Sequence, residues 1–278
     1  MKEEGWELLL VSADGREVQS ICRAEGVRHE VIPFVKGVNY VEDFISFWLL
    51  FQLIRKERPD VIHSYDSKAG FLGMLAGSLV GIPHRIHSIT EMPVHTKDPQ
   101  KGLTFLEKWT FSNATSLWVN STGMLSFFTS NSGIDADKFK LLGSGSTLGV
   151  DLEKFNRQVL KENHLVAATM RILPGENDFI ILAIGALTKR KGVEDLIAAF
   201  LKSKIVSRSK LVLIGTFEQE EESLSQETIQ TIREHPRVVQ IDWTDHVDHH
   251  LALADVLVHP SHEEGFSNVL LEAAAMQV

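Results

Sequence analysis

A single cysteine, Cys22, serves all 278 residues. One cysteine cannot close an internal disulfide, and it excludes a zinc site built on several thiolates. The chain suits a reducing, cytoplasmic setting. Basic residues are in deficit, with 28 Lys and Arg against 37 Asp and Glu and a net charge of −9. Broad nonspecific nucleic-acid binding needs a basic surface, so no nucleic-acid partner is expected. No apolar run is long enough to span a bilayer. The longest, FISFWLLFQLI at 44–54, falls well short of the required length. The opening MKEEGWELLL carries early charges and too short an apolar stretch for a secretory signal. G-x-S-x-G, H-E-x-x-H, Walker A and G-x-G-x-x-G are all missing.

What is present is alternation. Short β-rich runs at 8–11, 29–33, 61–64, 85–88 and 116–120 are separated by helical spacing at 17–25, 41–57, 68–80, 103–111 and 122–130. The 44–54 run lies inside the second helix, with Glu42-Asp43 before it and Arg55-Lys56 after it, as a helix dipole favours. It reads as a helix buried in an α/β core, with a membrane-surface contact as the sharper alternative. Residues 143–177 loosen the pattern with GSGSTLG, a charged stretch and Pro174-Gly175. Alternation then restarts, with strands at 179–184, 210–214, 238–241 and 256–259. Helices are expected at 193–203, 225–234, 247–254 and from 268 onward. The fold class is therefore α/β, as two Rossmann-like domains with parallel sheets, 1–166 and 167–278. Ligands of such sheets sit beyond the carboxyl ends of the strands.

Two loops there carry chemistry. HPSHEEGFSN, after the last strand, puts Glu264 and Gly265 ahead of a helix that Ser267 or Asn268 could cap. Gly265 suits close backbone approach or positive φ. Free amides at the helix start suit a phosphate, and Glu272, one turn in, suits hydroxyls. A sugar nucleotide offers both groups; the bland alternative is two solvated carboxylates. The loop Gly185-Ala-Leu-Thr-Lys189-Arg190-Lys191-Gly192 puts three cations before a helix, either as a diphosphate site or as a solvated basic turn. Cations at a helix N-terminus oppose the macrodipole and need compensation. His87 ends a strand, as a hydrogen-bond donor or as a satisfied structural histidine. Asp245–His250 invites a metal, but Asp248, His249 and His250 are successive and would point apart on a helix, so no metal site is assigned.

The combination resembles the retaining glycosyltransferases of family 4. Pro260–Ala275 is similar to their E-x7-E signature, residues 185–192 to G-R-L-x-x-x-K-G, and 145–151 to N-G-V-D. PDVIHSYDSKAGFLGMLAG and PHRIHSIT resemble stretches of bacterial members that build capsular and other surface polysaccharides. The resemblance implies a GT-B fold with its two sheets facing a cleft, incomplete at both ends: a first strand is expected ahead of residue 1, and further elements beyond Val278, where the last helix shows no stop signal. It implies transfer from a nucleotide sugar, with UDP favoured, to a glycan or lipid-linked acceptor, with no metal or separate cofactor. Glu264 would contact the donor sugar. Gly265, Phe266 and Ser267 would offer amides, and Gly185, Lys189, Arg190 and Asn268 would complete the nucleotide-sugar site. Glu272 would hold the ribose, Lys191 would neutralise the leaving phosphate, and His87 would hydrogen-bond the donor. The setting would be cytoplasmic, at the inner face of a bacterial membrane. Ala186 stands at the usual diphosphate-binding arginine, Leu148 at the asparagine of N-G-V-D, and Gln277 at a glycine. Two alternatives share the fold: an impaired homologue that binds nucleotide or a partner, and a sugar-nucleotide epimerase.

Overall fold

The computed structural model describes residues 5–35, 37, 39–90, 103–146, 148–161, 178–218, 223–262 and 264–278. The chain forms two compact units, Met1–Gly145 and Ser146–Val278. The division expected at 166 falls outside the described residues, and residues 146–161 group with the second unit.

The first unit contains strands β1 (Leu9–Ser12), β2 (Arg28–Val31), β3 (Val61–Ser64), β4 (His84–Ile89), β5 (Ser116–Val119) and β6 (Phe139–Leu141). Its helices are α1 (Arg16–Glu25), α2 (Tyr40–Glu57), α3 (Ser67–Val80), α4 (Phe105–Asn113) and α5 (Thr122–Asn131). Every described strand pair is parallel, but the strands make two separate sheets, β1-β2 and β3-β4-β5-β6. Strand β6 was not anticipated. Its three residues are too short to show a period, and Phe139 gains its place by packing with Phe111 and Phe128.

Local chemistry sets the helix ends. Asn39 caps α2 at the Glu42 amide, Thr104 and Glu107 form a capping box on α4, and Ser121 caps α5 at Met124. Helix α2 departs from the expected buried helix. It buries only Ser46, Leu50 and Ile54, one stripe at four-residue spacing. Tyr40, Val41, Phe44, Ile45, Trp48 and Leu49 stay exposed. A helix apolar all round has more hydrophobic surface than one neighbouring layer can cover.

The second unit adds β7 (Phe179–Ile184), β8 (Ser209–Ile214), β9 (Val238–Ile241) and β10 (Val256–Leu257), in the parallel order β10-β7-β8-β9. Its helices are α6 (Arg157–Lys161), α7 (Val193–Lys202), α8 (Gln226–Glu234), α9 (Val247–Leu253) and α10 (Asn268–Ala275). All six residues of β8 are buried, as a strand covered on both faces requires. Alternation along the strands sorts the core. Ile181, Leu211 and Leu213 pack with Leu196, Ile197 and Phe200 of α7 and Ile232 of α8. Leu182, Val212 and Ile214 pack with Leu160 of α6, Leu251 of α9 and Ala273 of α10. Both faces are thus filled, and the loops after the strands are left to the strands' carboxyl ends.

Helix α10 has a stop that the sequence pattern did not reveal. Gln277 takes φ 58, and the Gln277 and Val278 amides donate to the Ala274 and Ala273 carbonyls. This is a left-handed cap carried by a residue other than glycine.

Candidate active site

The site is built by backbone packing between loops. Gly192, at φ 71, precedes α7, and an added Cβ would lie 2.1 Å from the Pro260 carbonyl oxygen. The His262 amide donates to the Arg190 carbonyl at 3.0 Å. Gly215, at φ 153, leaves room for the Gly185 carbonyl oxygen, which a Cβ would approach to 1.9 Å. The Gly185 amide donates to Ile214 O, and the Leu187 amide to Thr216 O. The loops after β7, β8 and β10 therefore meet main chain to main chain, which only glycine at 192 and 215 allows. Gly265 does not carry the positive φ its type suggested: among the described residues of this unit, the glycines with positive φ are Gly149, Gly185, Gly192 and Gly215.

This packing brings Lys191 to Glu264. Its ammonium donates to Glu264 Oε1 in a short, partly buried contact. His259 Nε2 lies 3.3 Å from the same oxygen, off the axis of a good hydrogen bond. The His259 imidazole and the Lys191 ammonium together hold the Glu264 carboxyl down at about 2, against the desolvation that would raise it. His259 was not anticipated as a site residue, although its place at the end of the VLVH run was a usable signal. Gly185, Ala186, Lys191, Val258, His259 and Pro260 line a pocket beside this cluster.

Glu272 differs. Burial pushes its carboxyl up, and Asp248 pushes it the same way. Neither glutamate is a fully solvated residue, and their environments drive them in opposite directions. Pairs of acids separated in this way commonly mark functional sites.

The remaining residues fall around this pair. Gly265, Phe266 and Ser267 lead half-buried into α10. Ser267 stands at the N-cap but makes no side-chain cap bond. Asn268 Oδ1 accepts from the Ser146 hydroxyl at 3.1 Å, and the same hydroxyl accepts from the Gly149 amide. Ser146 itself has φ 76, a strained conformation for serine. Lys189 is exposed and Arg190 half-buried. The compensation needed by the cations comes from Glu194 and Asp195 in the first turn of α7. Glu194 is fixed by the Ser225 amide, whose hydrogen bond lowers its carboxyl.

His87 belongs to the first unit, four residues into β4, and is buried. Its Nδ1 lies 2.9 Å from Ser64 Oγ. Its ring fills the space left by Gly70 in α3, where a Cβ would approach Cε1 to 2.4 Å. Burial, reinforced by His63, lowers it to about 4, so it is neutral at pH 7.

Two parallel α/β units, the second with a phosphate-suited helix start flanked in sequence by two carboxylates of opposite environment, fit the GT-B class of enzyme. The Anabaena HepE structure in complex with UDP and glucose superposes with TM-score 0.75 at 16 % identity, over 96 % of this chain and 70 % of that one. Residues 1–145 match the glycosyl transferase 4-like domain, and residues 178–278 match the glycosyl transferases group 1 domain. The chain belongs to the glycosyl transferase 4-like family and is a glycosyltransferase. It is 29 % identical to the capsular polysaccharide biosynthesis glycosyltransferase CapM of Staphylococcus aureus, over all of this chain and 72 % of the relative. It is 24 % identical to the Escherichia coli UDP-Gal:alpha-D-GlcNAc-diphosphoundecaprenol alpha-1,3-galactosyltransferase, over 96 % of this chain and 71 % of the relative.

Proposed function

We propose that this chain moves a sugar, with retention, from a UDP-sugar to a glycan or lipid-linked acceptor of a bacterial surface polysaccharide. The observation that carries the reading is the Lys191–Glu264–His259 cluster beside the start of α10. In the transfer, the bond from the anomeric carbon to the diphosphate oxygen breaks, and the acceptor oxygen bonds to that carbon on the same face. The acceptor proton goes to the departing diphosphate. Negative charge grows on the diphosphate, so Lys191 and the amides of residues 265–267 stabilise the transition state. On this reading Lys191 and these amides supply the charge stabilisation, and no resident metal is invoked. Glu264, held ionised, aligns the donor sugar, and Glu272 accepts hydrogen bonds from the ribose hydroxyls.

Support for the donor comes from the Anabaena enzyme, solved with UDP and glucose. Support for the acceptor comes from the E. coli relative, whose name specifies a diphosphoundecaprenol-linked sugar. The exposed apolar face of α2 suits a seat at the inner face of the cytoplasmic membrane, where a lipid-linked acceptor is held. No described helix is long and apolar enough to cross a membrane.

The test is transfer from radiolabelled UDP-sugars to an acceptor extract. Labelled product with the starting anomeric configuration supports the proposal. Nucleotide binding without transfer favours an impaired module, and conversion of the free sugar nucleotide favours an epimerase; either result overturns it.

A further inference from the structure

We propose that His246, Asp248 and His249 form a binding site for a divalent transition-metal ion of the zinc class. Their candidate ligand atoms all lie within 4.8 Å of one another. Successive helix residues such as Asp248, His249 and His250 point apart. The structure selects a different trio. His250 is turned away, its Nδ1 2.8 Å from the His246 carbonyl oxygen. His246 stands at the N-cap of α9 and His249 one turn on, so their rings lie side by side at 4.8 Å and 11°. Asp248 sits between them in sequence.

A second observation points to a ligand. Asp248 is buried, with its side chain about nine-tenths covered, and its Oδ1 has no hydrogen-bond partner among the described residues. The nearest cationic candidate, His249 Nε2, is 3.9 Å from Oδ2, too far for a hydrogen bond. The dipole of α9 favours a negative charge there but supplies no donor to Oδ1. A buried carboxylate oxygen without a partner is costly unless a proton or cation joins it. Two imidazoles and one carboxylate are the ligand types that zinc, cobalt and nickel accept. Small side-chain rotations bring atoms at these separations onto one ion with bonds of about 2.0–2.2 Å. His246 is exposed, which leaves an entry path and room for water on the remaining positions.

The test uses the tag-free full chain, stripped with EDTA. Zinc affinity is measured by competition with a chromophoric chelator, and Co²⁺ loading is followed by visible absorption. We expect one Zn²⁺ per chain and a Co²⁺ band that Zn²⁺ displaces. His246→Ala and Asp248→Asn should each weaken zinc binding about tenfold or more, while His84→Ala, in the first unit, should leave it unchanged. Because His246 is exposed, its variant keeps the fold, and circular dichroism verifies this. A folded wild-type chain that binds no zinc overturns the proposal. So does zinc binding of unchanged affinity and stoichiometry in His246→Ala.

Discussion

Replacing Gly192 with alanine isolates the contact that assembles the site. The new Cβ would lie 2.1 Å from the Pro260 carbonyl oxygen and 2.8 Å from its carbon. Both are main-chain atoms, so no rotamer change relieves the overlap, and the two loops must part by about 1 Å. A non-glycine residue at φ 71 adds about 1–2 kcal/mol of backbone strain. Overpacking adds about 1–3 kcal/mol. The expected loss is therefore about 3 kcal/mol, read as a lower urea midpoint at unchanged slope. Gly185→Ala is the control. At φ 144 its Cβ would meet nothing within 4 Å, so it carries strain without the clash. Parting the loops also draws Lys191 away from Glu264, and misplacement by about 1 Å can cost about 100-fold in turnover. The reasoning is refuted if Gly192→Ala is no less stable than Gly185→Ala and transfers sugar at the wild-type rate.

Acid should destabilise the protein in two windows. His87 is depressed to about 4, so an unfolded chain takes up its proton first and stability falls as pH drops from 6.5 toward 4. Glu264, depressed from 4.5 to about 2, adds a loss between those values worth up to about 3 kcal/mol. His87→Gln should flatten the first window and Glu264→Gln the second in denaturant titrations across pH. Gly70→Ala should cost about 1–3 kcal/mol despite the better helix propensity of alanine, because the methyl group meets the His87 ring. Pairing it with His87→Ala should recover part of that loss in a double-mutant cycle. Gln277→Gly should raise the melting temperature slightly, with a gain of up to about 1 kcal/mol, by relieving the left-handed cap; a fall would count against the strain assignment.

Much of the fold was legible because parallel α/β units write themselves as apolar runs between amphipathic helices. Val61–Ser64, Phe179–Ile184 and Val238–Ile241 appear at their expected bounds. The short elements were not legible. Phe139–Leu141 and Arg157–Lys161 gain their identity from partners distant in sequence. The burial of α2 was overread, since an apolar helix does not state how many neighbours it has. In the site, the eight-residue glutamate spacing and the cation loop were visible in the sequence. Their contact was not, because it depends on Gly192 lying against the Pro260 carbonyl. Gly265, whose type suggested a special backbone, has no positive φ, and the special backbone falls at Gly192 and Gly215 instead. The His246–His249 pairing was hidden because a single helix turn joins residues that a linear reading keeps apart.

On the proposed function, residues 185–192 and 259–272 hold a nucleoside diphosphate. Calorimetric titration of the folded chain with UDP, GDP and ADP tests it most directly. The account predicts saturable heat with UDP and an affinity about tenfold or more weaker in Glu272→Ala, as the loss of charged hydrogen bonds to the ribose requires. No heat with any of the three nucleotides, or an unchanged affinity in Glu272→Ala, would contradict it.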